Sequence, residues 1–438
     1  MFKRTILFFL FSLISLSCPA QSAEPAIEAG PMLGSVEMRE AWLWLKTKPD
    51  SKVDVSLESA DKSASFKFET KSDKDGICKI LLSKLKPSTT YNYTLSVDGQ
   101  SESGSFATRP DYKMRTPPPD FKFAVLGKAH RNDPLYDEPF KTPGGDYKIF
   151  DAIAAQKPDA IIWANNAASL LNADVASKSG MFERYLYNRA DPALKNLLKA
   201  APNYGVIGIS SYGENGADMH LWNKKDSLEV FEKFWANPSF GVADLENCAT
   251  FFRLSDAEFF ILDDVSARNN LDYGDLRPQM FGRKQLDWLF AALKNSKATF
   301  KIVVSNSPIL NPVENDENFA KYSGERKELL DFIVKNKIGG LLFVSANKSY
   351  AELTKMVRAG AHEVYEVCAG PVTDRPAKSA SEINFFRVPG STTLERSFAL
   401  ISVSGPENDR VLEVQFLNAD AKPLFSQKLK AKDFYQFD

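Results

Sequence analysis

The chain has 438 residues, of which 44% are hydrophobic and 25% are charged. This composition is typical of globular proteins, and the length predicts two to three domains, since one ordinary core rarely grows so large. Lys and Arg number 55 against 56 Asp and Glu, a net charge of -1. That balance gives no electrostatic reason to expect nucleic acid or an anionic membrane as a partner.

The first residues have the pattern of an export signal. Lys3 and Arg4 precede an apolar run over 6–16, and small residues follow at 17–23. The run is too short to span a bilayer, so we predict a cleaved signal peptide over 1–22 and a periplasmic or extracellular protein. Cys18 leaves a lipoprotein signal open, although Ser-Leu-Ser before it matches a lipobox poorly. No later segment is apolar for long enough to predict a transmembrane helix.

Only three cysteines follow the predicted signal peptide. Cys78, Cys248 and Cys368 lie in separate segments, and their number is odd. They form neither a disulfide framework nor a CxxC metal motif, so we predict three buried thiols.

Residues 24–112 are predicted to form a small β-sandwich. Short alternating runs, typical of strands, occur at 42–45, 53–57, 65–69 and 91–95. The string Leu-Lys-Pro-Ser-Thr-Thr-Tyr-Asn-Tyr at 85–93 resembles the late-strand signature of fibronectin type III modules. A proline-rich linker over 113–120, with three consecutive prolines, is predicted to close this domain, because such spacers are extended and semi-rigid.

Residues 121–438 alternate between strand and helix patterns. Strands are predicted at 123–126, 160–163, 204–207, 258–262, 300–304, 341–344, 399–403 and 411–414, and helices at 147–155, 181–201, 228–235, 283–293 and 325–334. Apolar strands separated by helices indicate an α/β sandwich domain with central, buried β-sheets.

Three strings in this second domain carry a family resemblance. They are Phe-Trp-Ala-Asn-Pro-Ser-Phe-Gly at 234–241, Phe-Gly-Arg-Lys-Gln-Leu-Asp-Trp-Leu at 281–289 and Arg-Val-Pro-Gly at 387–390. Together with the preceding sandwich and linker, they resemble a bacterial subgroup of PhoD-like alkaline phosphatases. The resemblance implies a metallophosphatase-like fold over 121–438 and metal-dependent hydrolysis of phosphoric esters.

The motifs that carry metal ligands in that family are substituted in this chain. The family follows the strand matching 160–163 with Leu-Gly-Asp-Asn, whereas Ala-Asn-Asn-Ala stands here and puts Asn166 at the acidic position. The next family motif, Asp-Asp-His-Asp-Tyr-Gly, aligns with Gly-Ile-Ser-Ser-Tyr-Gly, which places Ser210 and Ser211 where ligands are expected. The third, Ser-Gly-Asp-Arg-His, aligns with Ser-Ala-Asn-Lys-Ser, so Asn347 and Ser349 replace the acid and the histidine.

Four further residues complete the candidate site. The first strand of the domain ends in Gly-Lys-Ala-His, and Lys128 stands where metallophosphatases often begin their metal site. A lysine there would repel a metal ion or supply a cation in its place. His130 is close to the same strand end, and Asp263 and Asp264 follow another strand. These acids fit either structural hydrogen bonding or weak cation binding.

These substitutions are compatible with three hypotheses about function. The first is an exported pseudophosphatase of the cell envelope without a metal cofactor, whose strand-end cleft binds a small anionic ligand or an envelope protein. The second is an active alkaline phosphatase or phosphodiesterase in which His130, Asp263 and Asp264 hold Ca, Fe or Zn. The third is an adhesive or scaffold protein that uses the sandwich for contact. The predicted cleft residues are Lys128, Asn165, Asn166, Ser210, Ser211, Asn347, Lys348 and Ser349.

Overall fold

The computed structural model describes residues 25–137, 144–145, 147–165, 168–214, 216–274, 276–315, 317–358 and 362–435. The predicted signal peptide over 1–22 and the substituted position Asn166 lie outside these ranges. Among the described helices, none combines the length and the apolar character that crossing a membrane requires.

The N-terminal domain is a β-sandwich of two antiparallel sheets, as predicted. Its strands are β1 (Ile27–Val36), β2 (Ala41–Thr47), β3 (Lys52–Ser59), β4 (Ser65–Lys71), β5 (Ile77–Leu82), β6 (Thr90–Val97) and β7 (Gln100–Ala107). The sheets have the orders β1-β2-β5 and β4-β3-β6-β7. Burial alternates along β6, where Tyr91, Tyr93 and Leu95 point into the core between the sheets. This period of two is the pattern expected of strands that face a core on one side only.

The second domain is built on two larger sheets flanked by helices. Its strands are β8 (Phe121–Leu126), β9 (Ala160–Trp163), β10 (Asn203–Gly205), β11 (Thr250–Leu254), β12 (Ala257–Ile261), β13 (Phe300–Val304), β14 (Leu341–Ser345), β15 (Glu352–Met356), β16 (Val364–Cys368), β17 (Ser397–Ser404), β18 (Val411–Asn418) and β19 (Pro423–Lys430). Its helices are α1 (Ile149–Ala155), α2 (Asn172–Val175), α3 (Lys178–Arg189), α4 (Lys195–Ala200), α5 (Ile209–Tyr212), α6 (Lys224–Phe234), α7 (Arg283–Asn295) and α8 (Ser323–Lys335).

The two sheets have the orders β10-β9-β8-β17-β18-β19 and β11-β12-β13-β14-β16-β15. One hydrophobic cluster fills the space between them, and two further clusters lie between the sheets and the outer helices. The predicted α/β sandwich is therefore confirmed. Because β8, β9 and β10 are parallel to one another, as are β12, β13, β14 and β16, their carboxyl ends lie together at one edge of each sheet.

The prediction of one helix over 181–201 was wrong, since the helical pattern is interrupted. Helix α3 ends at Arg189, a 3₁₀ turn occupies Pro192–Leu194, and α4 follows. Asp191 caps the 3₁₀ turn by accepting a hydrogen bond from the Ala193 amide at 2.9 Å. Pro192 lacks an N–H and clashes with the preceding turn in a helix interior, so a continuous helix cannot form there.

The sandwich and the α/β domain share a hydrophobic core. Met32 and Trp44 of the sandwich belong to the same cluster as Phe234 and Trp235 of the second domain. The Trp44 Nε1 donates to the Lys233 carbonyl at 2.7 Å, which satisfies the indole inside that cluster. The thiols of Cys78, Cys248 and Cys368 are free and buried, as predicted.

Candidate functional site

The carboxyl ends of the two parallel strand sets converge on one another. After β9, the Asn165 Nδ2 donates to the Ala346 carbonyl at 3.2 Å and to the Asn347 Oδ1 at 3.3 Å, both after β14 of the other sheet. After β13, the Asn306 Nδ2 donates to the Ala164 carbonyl at 3.2 Å. Side-chain amides therefore bridge the sheets at the place where the resemblance implies metal ligands.

A cleft of about 440 Å³ opens at these strand ends. Its described lining consists of Lys128, Ile209, Ser210, Gly216, Ala217, Arg268, Asn270, Glu317, Lys321, Tyr322 and Asn347. Of the residues predicted to line it, Lys128, Ser210 and Asn347 do so, whereas Asn165, Ser211, Lys348 and Ser349 are not part of this lining. We refer to it as the strand-end cleft.

The strand-end cleft carries an excess of positive charge. Its described lining includes the cations Lys128, Arg268 and Lys321 and the carboxylate Glu317. That carboxylate is paired with Lys348, whose Nζ lies 3.1 Å from the Glu317 Oε2. Lys348 is shared with a second carboxylate, that of Glu382. Arg268 is itself paired with the buried Asp264 carboxylate at 3.8 Å, so much of the charge around the cleft is balanced within the protein.

Lys348 is a buried ion-pair partner and does not face the cleft, contrary to our expectation. Its side chain is 2% exposed, and its Nζ lies 2.6 Å from the Glu382 Oε1. Burial alone would lower the pKa of Lys348, but Glu382 and Glu317 raise it above its usual value. The residue after it, Ser349, accepts a hydrogen bond from the Ala377 amide through its carbonyl at 2.7 Å.

Arg268 is held rigidly against Asp264. Its Nε donates to the Asp264 carbonyl at 2.9 Å, its Nη2 donates to the Ser307 Oγ at 3.0 Å, and the guanidinium lies 5.6 Å from the centre of the Tyr322 ring. The Asp264 carboxylate accepts from the Ser307 amide at 2.6 Å and lies 3.8 Å from the Arg268 Nη2. Burial raises the pKa of Asp264, an effect that the Arg268 charge opposes.

Asp263 organises the loop that follows β12. Its carboxylate oxygens accept hydrogen bonds from the Cys248 amide at 3.0 Å, the Val265 amide at 3.0 Å, the Ser266 amide at 2.9 Å and the Ser266 Oγ at 2.7 Å. The side chain is fully buried. Since four donors occupy both oxygens, this carboxylate already has the partners that a buried charge needs.

The two serines of the substituted second motif differ in position. Ser210 lines the cleft, and its carbonyl accepts from the Leu170 amide at 2.7 Å. Ser211 is 1% exposed, and its hydroxyl donates to the Gly208 carbonyl at 3.1 Å while accepting from the Gly208 amide at 3.2 Å. The Ser211 hydroxyl therefore closes the short turn at the start of α5.

His130 points into a separate polar network beside α3. Its Nε2 lies 2.9 Å from the Asp137 Oδ2, and Arg184 binds the other oxygen of that carboxylate at 2.8 Å. Burial would raise the pKa of Asp137, but hydrogen bonds from the Asp133 amide, His130 and Arg184 lower it overall. His130 is not in the described lining of the strand-end cleft and does not meet Asp263 or Asp264 in a common site.

The strand-end residues that the structure describes offer few ligands for a metal ion of the kind that the resemblance implies. Among the described residues, no three His, Cys, Asp or Glu side chains are grouped so that they could hold one. Two buried acceptors there, Asp264 Oδ1 and Asn306 Oδ1, lack a hydrogen-bond partner. One carboxylate beside an arginine and one neutral amide supply less charge than hydrolytic metal sites use, and Lys128 and Arg268 would repel a cation.

The structure adds cleft residues that the sequence reading missed, namely Arg268, Asn270, Lys321 and Tyr322. Arg268 had a signal in the sequence. The resembling family has an Asp-Arg pair after this strand, whereas here Val265 follows Asp264 and the next arginine is Arg268. Asn306, which bridges the two sheets, also had a signal, since it lies two residues after the buried strand β13. Nothing in the local sequence marks Lys321 or Tyr322.

Comparison with known proteins agrees with this architecture. Residues 250–400 match the family model of PhoD-like phosphatases, and residues 24–116 match a domain of unknown function, DUF7800. The fold is similar to that of PhoD, with a TM-score of 0.73 at 12% identity over 94% of this chain and 90% of that one. It is also similar to the purple acid phosphatase PPD1 from yellow lupin (Lupinus luteus) seeds, with a TM-score of 0.66 at 12% identity over 92% and 75%. A search of curated proteins found no match.

Proposed function

Because the chain carries a PhoD-like phosphatase domain over residues 250–400, we propose that it is an exported pseudophosphatase that binds ligands without hydrolysing them. Its place would be the cell envelope, to which the signal pattern over 1–22 points. The ligand would occupy the strand-end cleft, at the position where active metallophosphatases bind theirs.

One observation carries this proposal, namely the chemistry of the strand ends. Amides and hydroxyls occupy positions where charged ligands are needed, and the cations Lys128 and Arg268 stand beside them. Metal-dependent hydrolysis requires carboxylate, histidine or thiolate ligands that hold an ion, and the ion lowers the pKa of its bound water. A neutral and cationic donor set supports binding of an anion instead.

A specific feature favours one alternative, which is an active enzyme with non-standard ligands. The Asp264 Oδ1 is a buried acceptor without a hydrogen-bond partner, and a cation could bind to it. Two observations oppose this alternative. Asp263 and His130 are hydrogen-bonded to Ser266 and Asp137, respectively, and the positive charge of Arg268 lies beside Asp264.

Metal content and turnover separate these two functions. After incubation with Ca²⁺, Fe³⁺, Zn²⁺ or Mn²⁺ and desalting, we expect elemental analysis to find far less than one ion per chain. With p-nitrophenyl phosphate and bis(p-nitrophenyl) phosphate, we expect turnover no greater than that of the Asp264→Ala variant. The matched control is Asp272→Ala, since that side chain is 71% exposed.

Stoichiometric metal together with turnover that Asp264→Ala abolishes and Asp272→Ala preserves would contradict the proposal. Export is tested separately by mass spectrometry of the mature N-terminus. Cleavage near residue 22 supports a freely secreted protein, and an acylated Cys18 would show a lipid-anchored one.

A further inference from the structure

We propose that the Lys348 ammonium is a structural cation that clasps two loops at the strand ends and holds one wall of the cleft in place without a metal ion. The loops are 305–322, between β13 and α8, and 369–396, between β16 and β17, whereas Lys348 follows β14. We refer to Lys348, Glu317 and Glu382 as the Lys348 clasp. The inference concerns the shape of the cleft, so it is independent of what the cleft binds.

Glu382 is the stronger partner of the ammonium. Its Oε1 lies 2.6 Å from the Lys348 Nζ, and the side chains of Lys348 and Glu382 are only 2% and 18% exposed. Three further donors reach the same carboxylate, namely the Asn315 Nδ2 at 2.7 Å, the Asn311 Nδ2 at 2.9 Å and the Tyr350 hydroxyl at 3.3 Å. A buried ion pair offsets its loss of hydration only when such hydrogen bonds occupy the remaining lone pairs, and this pair has them.

Glu317 is the second and weaker partner. Its Oε2 lies 3.1 Å from the Lys348 Nζ, and its side chain is 47% exposed and lines the strand-end cleft. Since water can solvate a half-exposed carboxylate, this contact contributes less than the contact with Glu382. The clasp therefore opens at Glu317 rather than at Glu382.

The clasp determines where one wall of the cleft stands. Lys321 and Tyr322, which line the cleft, follow Glu317 by four and five residues in the same loop. Two asparagine amides that precede Glu317 in this loop bind Glu382 directly. The two loops are thus tied at three points, and these ties position the side chains that face the cleft.

The backbone around Lys348 is also held in place. The Ser349 carbonyl accepts a hydrogen bond from the Ala377 amide at 2.7 Å, and the Asn347 Oδ1 accepts one from the Asn165 Nδ2 at 3.3 Å. The ammonium therefore extends from a segment that is bound both to loop 369–396 and to the end of β9. A positive charge fixed here disfavours a metal ion nearby, because like charges repel strongly where water is scarce.

Hydrogen–deuterium exchange of the full chain tests the inference, since four amides within 318–322 donate to carbonyls of their own loop at 2.8–3.3 Å and report its opening. In Lys348→Met we expect the amides of 317–322 to exchange about tenfold or more faster than in the wild-type protein, because two carboxylates lose their shared cation. In Glu317→Gln they should exchange about threefold faster, because only the exposed contact is lost. The sandwich strands should keep their wild-type rates in both variants, and excess EDTA should leave the wild-type pattern unchanged.

The matched control is Glu314→Gln, which neutralises an exposed carboxylate of the same loop and should leave exchange unchanged. Glu317→Gln carries the test if Lys348→Met does not fold. Wild-type exchange of 317–322 in either folded variant would overturn the inference, as would acceleration that extends equally to the sandwich. A rise in the wild-type exchange of these amides on adding EDTA would also overturn it, since a metal ion would then hold the loop. No ligand or turnover enters this experiment, so the proposed function is tested separately by its metal and activity assays.

Discussion

Replacing Arg410 by methionine should lower the free energy of unfolding by about 3–5 kcal/mol, because it leaves a buried carboxylate without its partner. Arg410 is fully buried, and its Nη2 and Nε bind the two oxygens of Asp256 at 3.0 and 3.2 Å. Its Nη1 binds the Asp120 Oδ1 at 2.7 Å, and its Nη2 also donates to the Pro119 carbonyl at 3.0 Å. Chemical denaturation of the two proteins side by side measures the loss.

The matched control for this variant is Arg277→Met, since the Arg277 side chain is 66% exposed. An exposed substitution of this kind should change stability by less than about 0.5 kcal/mol. The replacement Arg410→Lys keeps the charge but cannot bind Asp256 through two nitrogens, so we expect an intermediate loss. Equal stability of Arg410→Met and the wild-type protein would show that Asp256 finds other partners.

The residues around Arg410 show what local sequence can and cannot predict. The prolines before residue 120 predicted the linker, and apolar runs predicted β13 at its observed bounds, Phe300–Val304. Arg410, however, lies 290 residues from Asp120 and 154 from Asp256. A contact between residues so far apart in the sequence produces no local periodic pattern, so the sequence could not predict this pairing.

The same limit applies to the candidate site. The family resemblance placed Lys128 and Asn347 at strand ends, and both line the cleft because the carboxyl ends of parallel strands share an edge. Lys321 and Tyr322 come from the segment just before α8 and reach the cleft only through the packing of that helix. His130 shows the opposite error, since proximity to a strand end in sequence did not bring its ring into the cleft.

The position of the sandwich was also beyond prediction, because the proline-rich linker suggested separate domains. Hydrogen bonds join them directly, from the Ser35 amide to the Ala236 carbonyl at 3.0 Å and from the Asn203 Nδ2 to the Leu33 carbonyl at 3.1 Å. Such contacts bury the outer face of β1, which a free sandwich would expose. The sandwich is therefore a structural part of the α/β domain, which disfavours its use as an independent contact module.

Arg189 is the most unusual residue at this interface. It is 3% exposed, and its guanidinium lies 5.2 Å from the centre of the Trp44 ring and 4.4 Å from that of Trp235. Among the described ion pairs none includes it, and burial lowers its pKa to about 9. Two indole faces, one from each domain, therefore supply the attraction that offsets the loss of hydration.

Trp44→Ala should consequently cost about 3–5 kcal/mol of unfolding free energy and weaken the coupling between the domains. The change removes a fully buried ring, its 2.7 Å hydrogen bond to the Lys233 carbonyl and one of the two aromatic partners of Arg189. We expect limited proteolysis to cut the variant near the linker over 113–120 faster than the wild-type protein. Trp222→Ala is the control, since that ring is 77% exposed. Equal cleavage of the Trp44 variant and this control would show that the two domains stay docked without the indole, and that the remaining hydrogen bonds between them suffice.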